Sequence, residues 1–272
     1  MKIGPLAAAE ERCASSAGRQ TNDLTAYDLY LRAYAMVLSS VKQTPDALCL
    51  MEQAIERDPR YGPALAWAAV CCQRLVQDDR SQYPAADRLK GADFARRALE
   101  VAGEDPGVLA TAAHALAHFG EDIGAMMALV DRALALNPNY ARGWYISAAL
   151  RQWVGEPDAA IKHVEAALRL NPRARIGASL CVLGGAHFLA LRFDEAVPNL
   201  LLAIQEDPTD PAPYRWLAAC YAHMGRLDDA REIVARLRAM TSVVMPDARQ
   251  LRNAEHRELL LSGLRLAMRD TT

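Results

Sequence analysis

Ala133-Leu-Ala-Leu-Asn-Pro138 and Ala167-Leu-Arg-Leu-Asn-Pro172 are near copies, and their prolines stand 34 residues apart. The same ending recurs as Ala54-Ile-Glu-Arg-Asp-Pro59 and Ala203-Ile-Gln-Glu-Asp-Pro208. Proline denies its predecessor the α region and lacks an N–H, so each copy ends one helix before another begins. Frames of 34 residues set by these prolines begin near Asp28, Gly62, Pro106, Ala141, Gly177 and Pro211. The fourth is the cleanest, with Trp144 at position 4, Ala148 at 8, Ala160 at 20, Ala167 at 27 and Pro172 at 32. The first keeps Ala35, Ala47, Ala54 and Pro59; the fifth keeps Gly184, Ala196, Ala203 and Pro208; the sixth keeps Tyr221 and Ala230. Small residues at 8, 20 and 27 let two helices of a hairpin approach closely. Gly120, Gly155 and Gly225 all fall at position 15, where a helix ends in a left-handed residue. Thr44-Pro45 and Glu156-Pro157 then place proline in the first turn of the following helix, where its missing N–H is harmless.

A 34-residue helical hairpin with this pattern is the tetratricopeptide repeat (TPR). The expected fold is all-α: a right-handed TPR superhelix, or α-solenoid, of about six hairpins over residues 23–245. Residues 1–22 read as a linker-like segment and 246–272 as a capping helix and tail. Within the latter, Leu259, Leu260, Leu264 and Met268 recur at helical spacing, with Arg257, Glu258 and Arg265 opposite; such a helix is expected to cover the apolar face of a last repeat. The second repeat carries a surplus in Gln77–Lys90, read as an enlarged turn between its helices. The third is one residue longer than the frame, and two extra residues follow the fourth near Arg173–Ile176. Insertions of this kind are tolerated surface loops or mark a binding side.

Composition agrees. Hydrophobic residues are 52% of the chain but aromatics only 6%, so the apolar mass is Ala and Leu, strong helix formers. Net charge is −2 and the pI about 6.3, which argues against a nucleic-acid partner. Ile3–Ala9 is broken by Gly4 and Pro5 and makes a poor signal peptide. The apolar run Ile176–Leu191 falls short of the roughly 20 residues a membrane span needs, so no membrane partner is expected. Six cysteines, Cys13, Cys49, Cys71, Cys72, Cys181 and Cys220, show no C-x-x-C spacing. Free cysteines used as small apolar filler suit a reducing compartment, hence a cytoplasmic protein.

Several stretches resemble a known family: DLTAYDLYLRA (Asp23–Ala33), LCLMEQAIERDPRY (Leu48–Tyr61), FARRALE (Phe94–Glu100), VLATAAHALAHF (Val108–Phe119) and ELLLSGL (Glu258–Leu264). They are similar to the C-terminal TPR tail of bacterial regulators in which it follows an adenylate/guanylate cyclase domain or a winged-helix DNA-binding domain. The resemblance covers about residues 24–268. It implies a regulatory interaction module, acting on such a domain in cis or in trans. No catalytic residue carries over, and residues 1–22 read as the end of a linker from an upstream domain.

No P-loop, dinucleotide fingerprint, H-E-x-x-H or G-x-S-x-G motif is present, so no enzyme activity and no cofactor are expected. The one constellation with chemistry is His114 and His118, four apart and on one helix face. A metal would need three or four ligands, and matching positions of neighbouring repeats offer no others. The inner face of a TPR stack is made by positions 2, 5, 9, 12 and 13 of each first helix. Here these include Arg32, Met36, Gln73, Arg74, His114, His118, Arg142, Tyr145, Gln152, Trp153, Phe188, Arg215 and His223. Cations mixed with aromatics, and no carboxylate, suit an acidic or carboxylate-terminated protein segment. For Trp153 and Phe188, packing between adjacent repeats is the competing role. Two functions therefore stand: a non-catalytic protein-interaction module of a signalling regulator, and a helical metal-binding protein or enzyme using the His pair.

Overall fold

The computed structural model describes residues 21–77, 80–172 and 177–269. Most of the linker-like segment 1–22, Cys13, part of the Gln77–Lys90 insertion and the extra residues at 173–176 lie outside the described residues. Regular structure among the described residues is helical throughout. The helices are α1 (Leu24–Ser39), α2 (Thr44–Arg57), α3 (Gly62–Gln77), α4 (Pro84–Ala102), α5 (Pro106–Phe119), α6 (Ile123–Leu136), α7 (Ala141–Val154), α8 (Pro157–Leu170), α9 (Gly177–Leu189), α10 (Phe193–Glu206), α11 (Pro211–His223), α12 (Leu227–Arg238) and α13 (Ala254–Ala267). Consecutive helices pair as hairpins, α1 on α2, α3 on α4, α5 on α6, α9 on α10 and α11 on α12. The chain divides into two compact units, unit 1 ending at Ile146 and unit 2 beginning at Ser147, inside α7.

The small-residue positions lie where the helices meet. Ala47, Ala54, Ala133, Ala148, Ala160, Ala196 and Ala230 are wholly buried. At Gly184 even one added carbon would come within 2.6 Å of Leu200 Cγ on the facing helix. The glycine turns hold too: Gly120, Gly155 and Gly225 have φ of 110°, 100° and 77°. The fifth repeat puts Leu191 at the same position with φ 60°, a conformation that costs a side-chain-bearing residue about 1–2 kcal/mol.

Two expectations about register need correcting. In the first repeat a 3-10 turn, Val41–Gln43, lengthens the connection between α1 and α2. The closely packed alanine of α1 is consequently Ala33, fully buried, rather than Ala35, which is half-buried. In the second repeat Gln77–Lys90 is not one enlarged loop, because α4 already begins at Pro84. Pro84 opens that helix and Ser81 braces it, its hydroxyl donating to Asp87 Oδ2 at 2.6 Å. Ala-Ala-Asp-Arg-Leu-Lys are adequate helix formers once the turn is closed.

Candidate functional site

The expected inner-face residues separate into two groups, one in each unit. In unit 1 the shifted register moves α1 first. Arg32 is exposed and pairs with Asp28 on its own helix at 3.7 Å, and Met36 is only packed against the edge of the core. The α1 side chains that meet the second repeat are tyrosines. Tyr30 lies edge-on to Tyr61 with centroids 5.2 Å apart, and Tyr34 edge-on to Trp67 at 4.6 Å. Over Trp67 stands the Arg142 guanidinium, 4.3 Å from the ring centroid. A cation of the fourth repeat thus meets an aromatic ring of the second. Arg74 turns inward and donates to the Val37 carbonyl at 2.7 Å.

His114 lies among these cations, 8% exposed. Burial, then Arg142, His118 and Arg74, push its pKa down to about 3. The imidazole is therefore neutral near pH 7, and the charges acting on it are cationic. Gln73 and Thr111 are buried beside the same helices, and Gln73 Oε1, Thr111 Oγ1 and Arg142 Nε find no hydrogen-bond partner among the described residues. Neither Arg74 nor Arg142 has a carboxylate partner there. Tyr145 is half-buried. His118 stands edge-on to Phe119, with ring centroids 5.9 Å apart. No group of three or more His, Cys, Asp or Glu among the described residues could hold a metal, and a dication would meet two guanidinium groups. The geometry favours an anion.

In unit 2 the expected residues are spoken for. Arg215 is 8% exposed and donates to the Val243 carbonyl at 2.7 Å. His223 Nε2 donates to the Leu259 carbonyl at 2.8 Å, and the imidazole stacks on Phe193 with centroids 5.7 Å apart. The Trp153 carbonyl accepts from the Arg252 N–H at 2.7 Å. Gln152 is buried, its amide near the Val182 carbonyl, and Phe188 is fully buried against Phe193, Trp216 and His223. Phe188 serves packing, and the Trp153 ring is partly buried on the same cluster. Gln152 and Arg215 make their hydrogen bonds within the fold in this conformation.

Sequence reasoning missed Tyr34 and Trp67, whose role depends on how three repeats curve within unit 1. A frame of equal repeats carries no signal for that. It also missed that residues 241–253 would return to the inner face, since that stretch has no periodicity to read.

Residues 188–254 match the tetratricopeptide-repeat family. No curated protein matches the chain by sequence. Among solved structures it resembles the human IFIT1 dimer with m7Gppp-AAAA at a TM-score of 0.67 and 18% identity, over 80% of this chain and 51% of that one. The chain thus spans about half the length of IFIT1. PilW, a type IV pilus biogenesis factor, is matched at 0.56 and 16% identity, over 85% of this chain and 98% of the other. A thermophilic TPR protein of Thermus thermophilus is matched at 0.54 and 20% identity, over 72% and 98%. Such identities speak to fold alone. With the 34-residue period, the left-handed glycine turns and the close-packed alanines, they make the chain an all-α solenoid of TPR type.

Proposed function

We propose that the chain is a non-catalytic protein-interaction module whose unit 1 inner face takes an acidic or carboxylate-terminated protein segment. One observation carries the reading: Arg142, stacked on Trp67, and Arg74 stand beside a buried neutral His114 without a carboxylate to compensate them. Partly buried cations without counter-charge are costly, and an incoming carboxylate would supply that charge. Trp and Arg are also the residues that most often anchor interfaces. The similarity of residues 24–268 to TPR tails of cyclase-type and winged-helix regulators supports a bacterial, cytoplasmic signalling setting, with such a domain as partner. That no helix of the described residues is long and apolar enough to cross a membrane is compatible with this.

IFIT1 was solved with a capped RNA, which makes RNA the competing ligand. A net charge of −2 and only two uncompensated arginines favour the protein segment. Titration with fluorescein-labelled poly-glutamate and with single-stranded RNA of equal charge decides between them. The expected result is binding of the peptide, weakened about tenfold to thirtyfold by Arg142→Ala in a protein of unchanged helicity. Binding of RNA alone, or equal peptide binding by the variant, overturns the reading.

A further inference from the structure

We propose that the inner face of unit 2 is a receptor for an amphipathic helix, and that the chain's own residues 241–267 occupy it as an intramolecular ligand.

Helices that continue the stack pack on both helices of the hairpin before them, as α5 does on α3 and α4 and α11 does on α9 and α10. Helix α13 instead packs chiefly on α11 and only marginally on α12. It lies across Ala219 and His223, positions 9 and 13 of the sixth frame, which are inner-face positions. The fit at its centre is close. A carbon added at Gly263 would stand 2.8 Å from both Ala219 Cβ and His223 Nε2. Leu260 and Leu264, on the same side, are buried in one cluster with Phe188 and Leu217. The stretch before the helix reaches further back. Leu251 joins that cluster, Arg252 bonds to Trp153, and Asn253 sits 3.0 Å from where a side chain at Gly155 would begin.

The way the segment is held is that of a bound peptide. The repeats' polar contacts go to its main chain: Arg215 to the Val243 carbonyl, His223 to the Leu259 carbonyl, the Trp153 carbonyl to the Arg252 N–H. Main-chain contacts of this kind would be offered by any segment following the same path, while side-chain pockets select among sequences. The ion pair on α13, Arg265 with Glu258, is internal. So are its cap, where Asn253 accepts from the Glu255 and His256 N–H groups, and the Arg257 bond to the Leu251 carbonyl. The helix therefore keeps its own polar contacts if it leaves. Its connection also favours departure, because buried Ala248 is held at φ 53°. A partner that replaces it needs leucines four apart and a glycine just before the second.

The test uses the full chain and a labelled peptide of residues 241–269. Leu264→Asp should detach α13 and leave the inner face open, so the peptide should bind this variant at least tenfold more tightly than the wild type. Gly263→Leu in the peptide should abolish binding. Equal affinity for both proteins, binding to neither, or full binding by the Gly263→Leu peptide overturns the proposal. Hydrogen exchange on the wild type gives an answer independent of the variant's folding. Amides of α13 should exchange faster than those of α11 and α12 through opening of the segment alone. Exchange of all three helices in one concerted event would make α13 core and sink the idea.

Discussion

The inner-face positions of the two units meet different partners. In unit 1, Arg74 and Arg142 face inward with an aromatic platform and no counter-charge. In unit 2, Arg215 and His223 also stand at inner-face positions, and main-chain carbonyls of the C-terminal segment already answer them. A repeat frame tells which residues face inward, but not whether the chain itself returns to meet them. Inner-face residues should therefore be functional in one unit and structural in the other.

The largest effect that would break this contrast concerns Phe188. It is completely buried at an inner-face position, so Phe188→Ala should destabilise unit 2 by about 3–5 kcal/mol. Arg142→Ala in unit 1 should cost only about 0.5–1 kcal/mol, the worth of a partly exposed cation–π contact. Urea denaturation of both variants compares them. Similar losses would mean that the two inner faces do the same job.

Acid sharpens the comparison next. The His114 pKa, about 3 in the fold, lies below the ordinary value of about 6.5. The unfolded chain therefore takes up the proton first. The stabilisation is complete above pH 6.5 and declines as pH falls towards 3. By pH 5 unit 1 should have lost about 2 kcal/mol, at 1.36 kcal/mol per pH unit. His114→Gln should flatten the pH dependence of melting between pH 7 and 5. An unchanged slope would place the acid sensitivity in other groups.

Within unit 2, the helix–helix contacts can be probed apart from the C-terminal segment. Ala160 is fully buried and Lys162 is exposed on the same helix. Ala160→Leu should cost about 1–3 kcal/mol by overpacking, whereas Lys162→Leu should be nearly silent; equal melting shifts would mean a misplaced frame. The smallest effect belongs to Leu191, which occupies the left-handed turn position without being glycine. Leu191→Gly should raise stability by about 0.5 kcal/mol, the relief of strain offset by the freer unfolded chain. A loss on calorimetry would show that the 63% exposed leucine side chain contributes more than its backbone costs.

Much of the fold was legible because each signal is local. Pro59, Pro138, Pro172 and Pro208 stop helices, Gly120, Gly155 and Gly225 turn them, and alanines seven residues apart let them touch. What was not legible depended on distances the chain covers only after folding. The 3-10 turn at Val41–Gln43 moves Ala33 into the contact that Ala35 was expected to make. Pro84 starts a helix inside a stretch that reads as loop. Tyr34, Trp67 and Arg142 come from three different repeats, and no spacing announces their meeting. The return of residues 241–253 along α11 is likewise a tertiary event. The His pair was legible as a pair, but its cationic neighbours were not.

The buried cysteines give each unit a clock of its own. Cys71 and Cys72 in unit 1, and Cys220 in unit 2, have thiol pKa values pushed up to about 12 by burial, and Cys181 is raised as well. Sealed thiols in that state do not react with an alkylating reagent until the surrounding helices open. Cys49 is exposed and should react at once, marking the start of the count. The order in which the remaining sulfurs are captured would then time the breathing of each unit under native conditions, without a dye, a mutation or a denaturant.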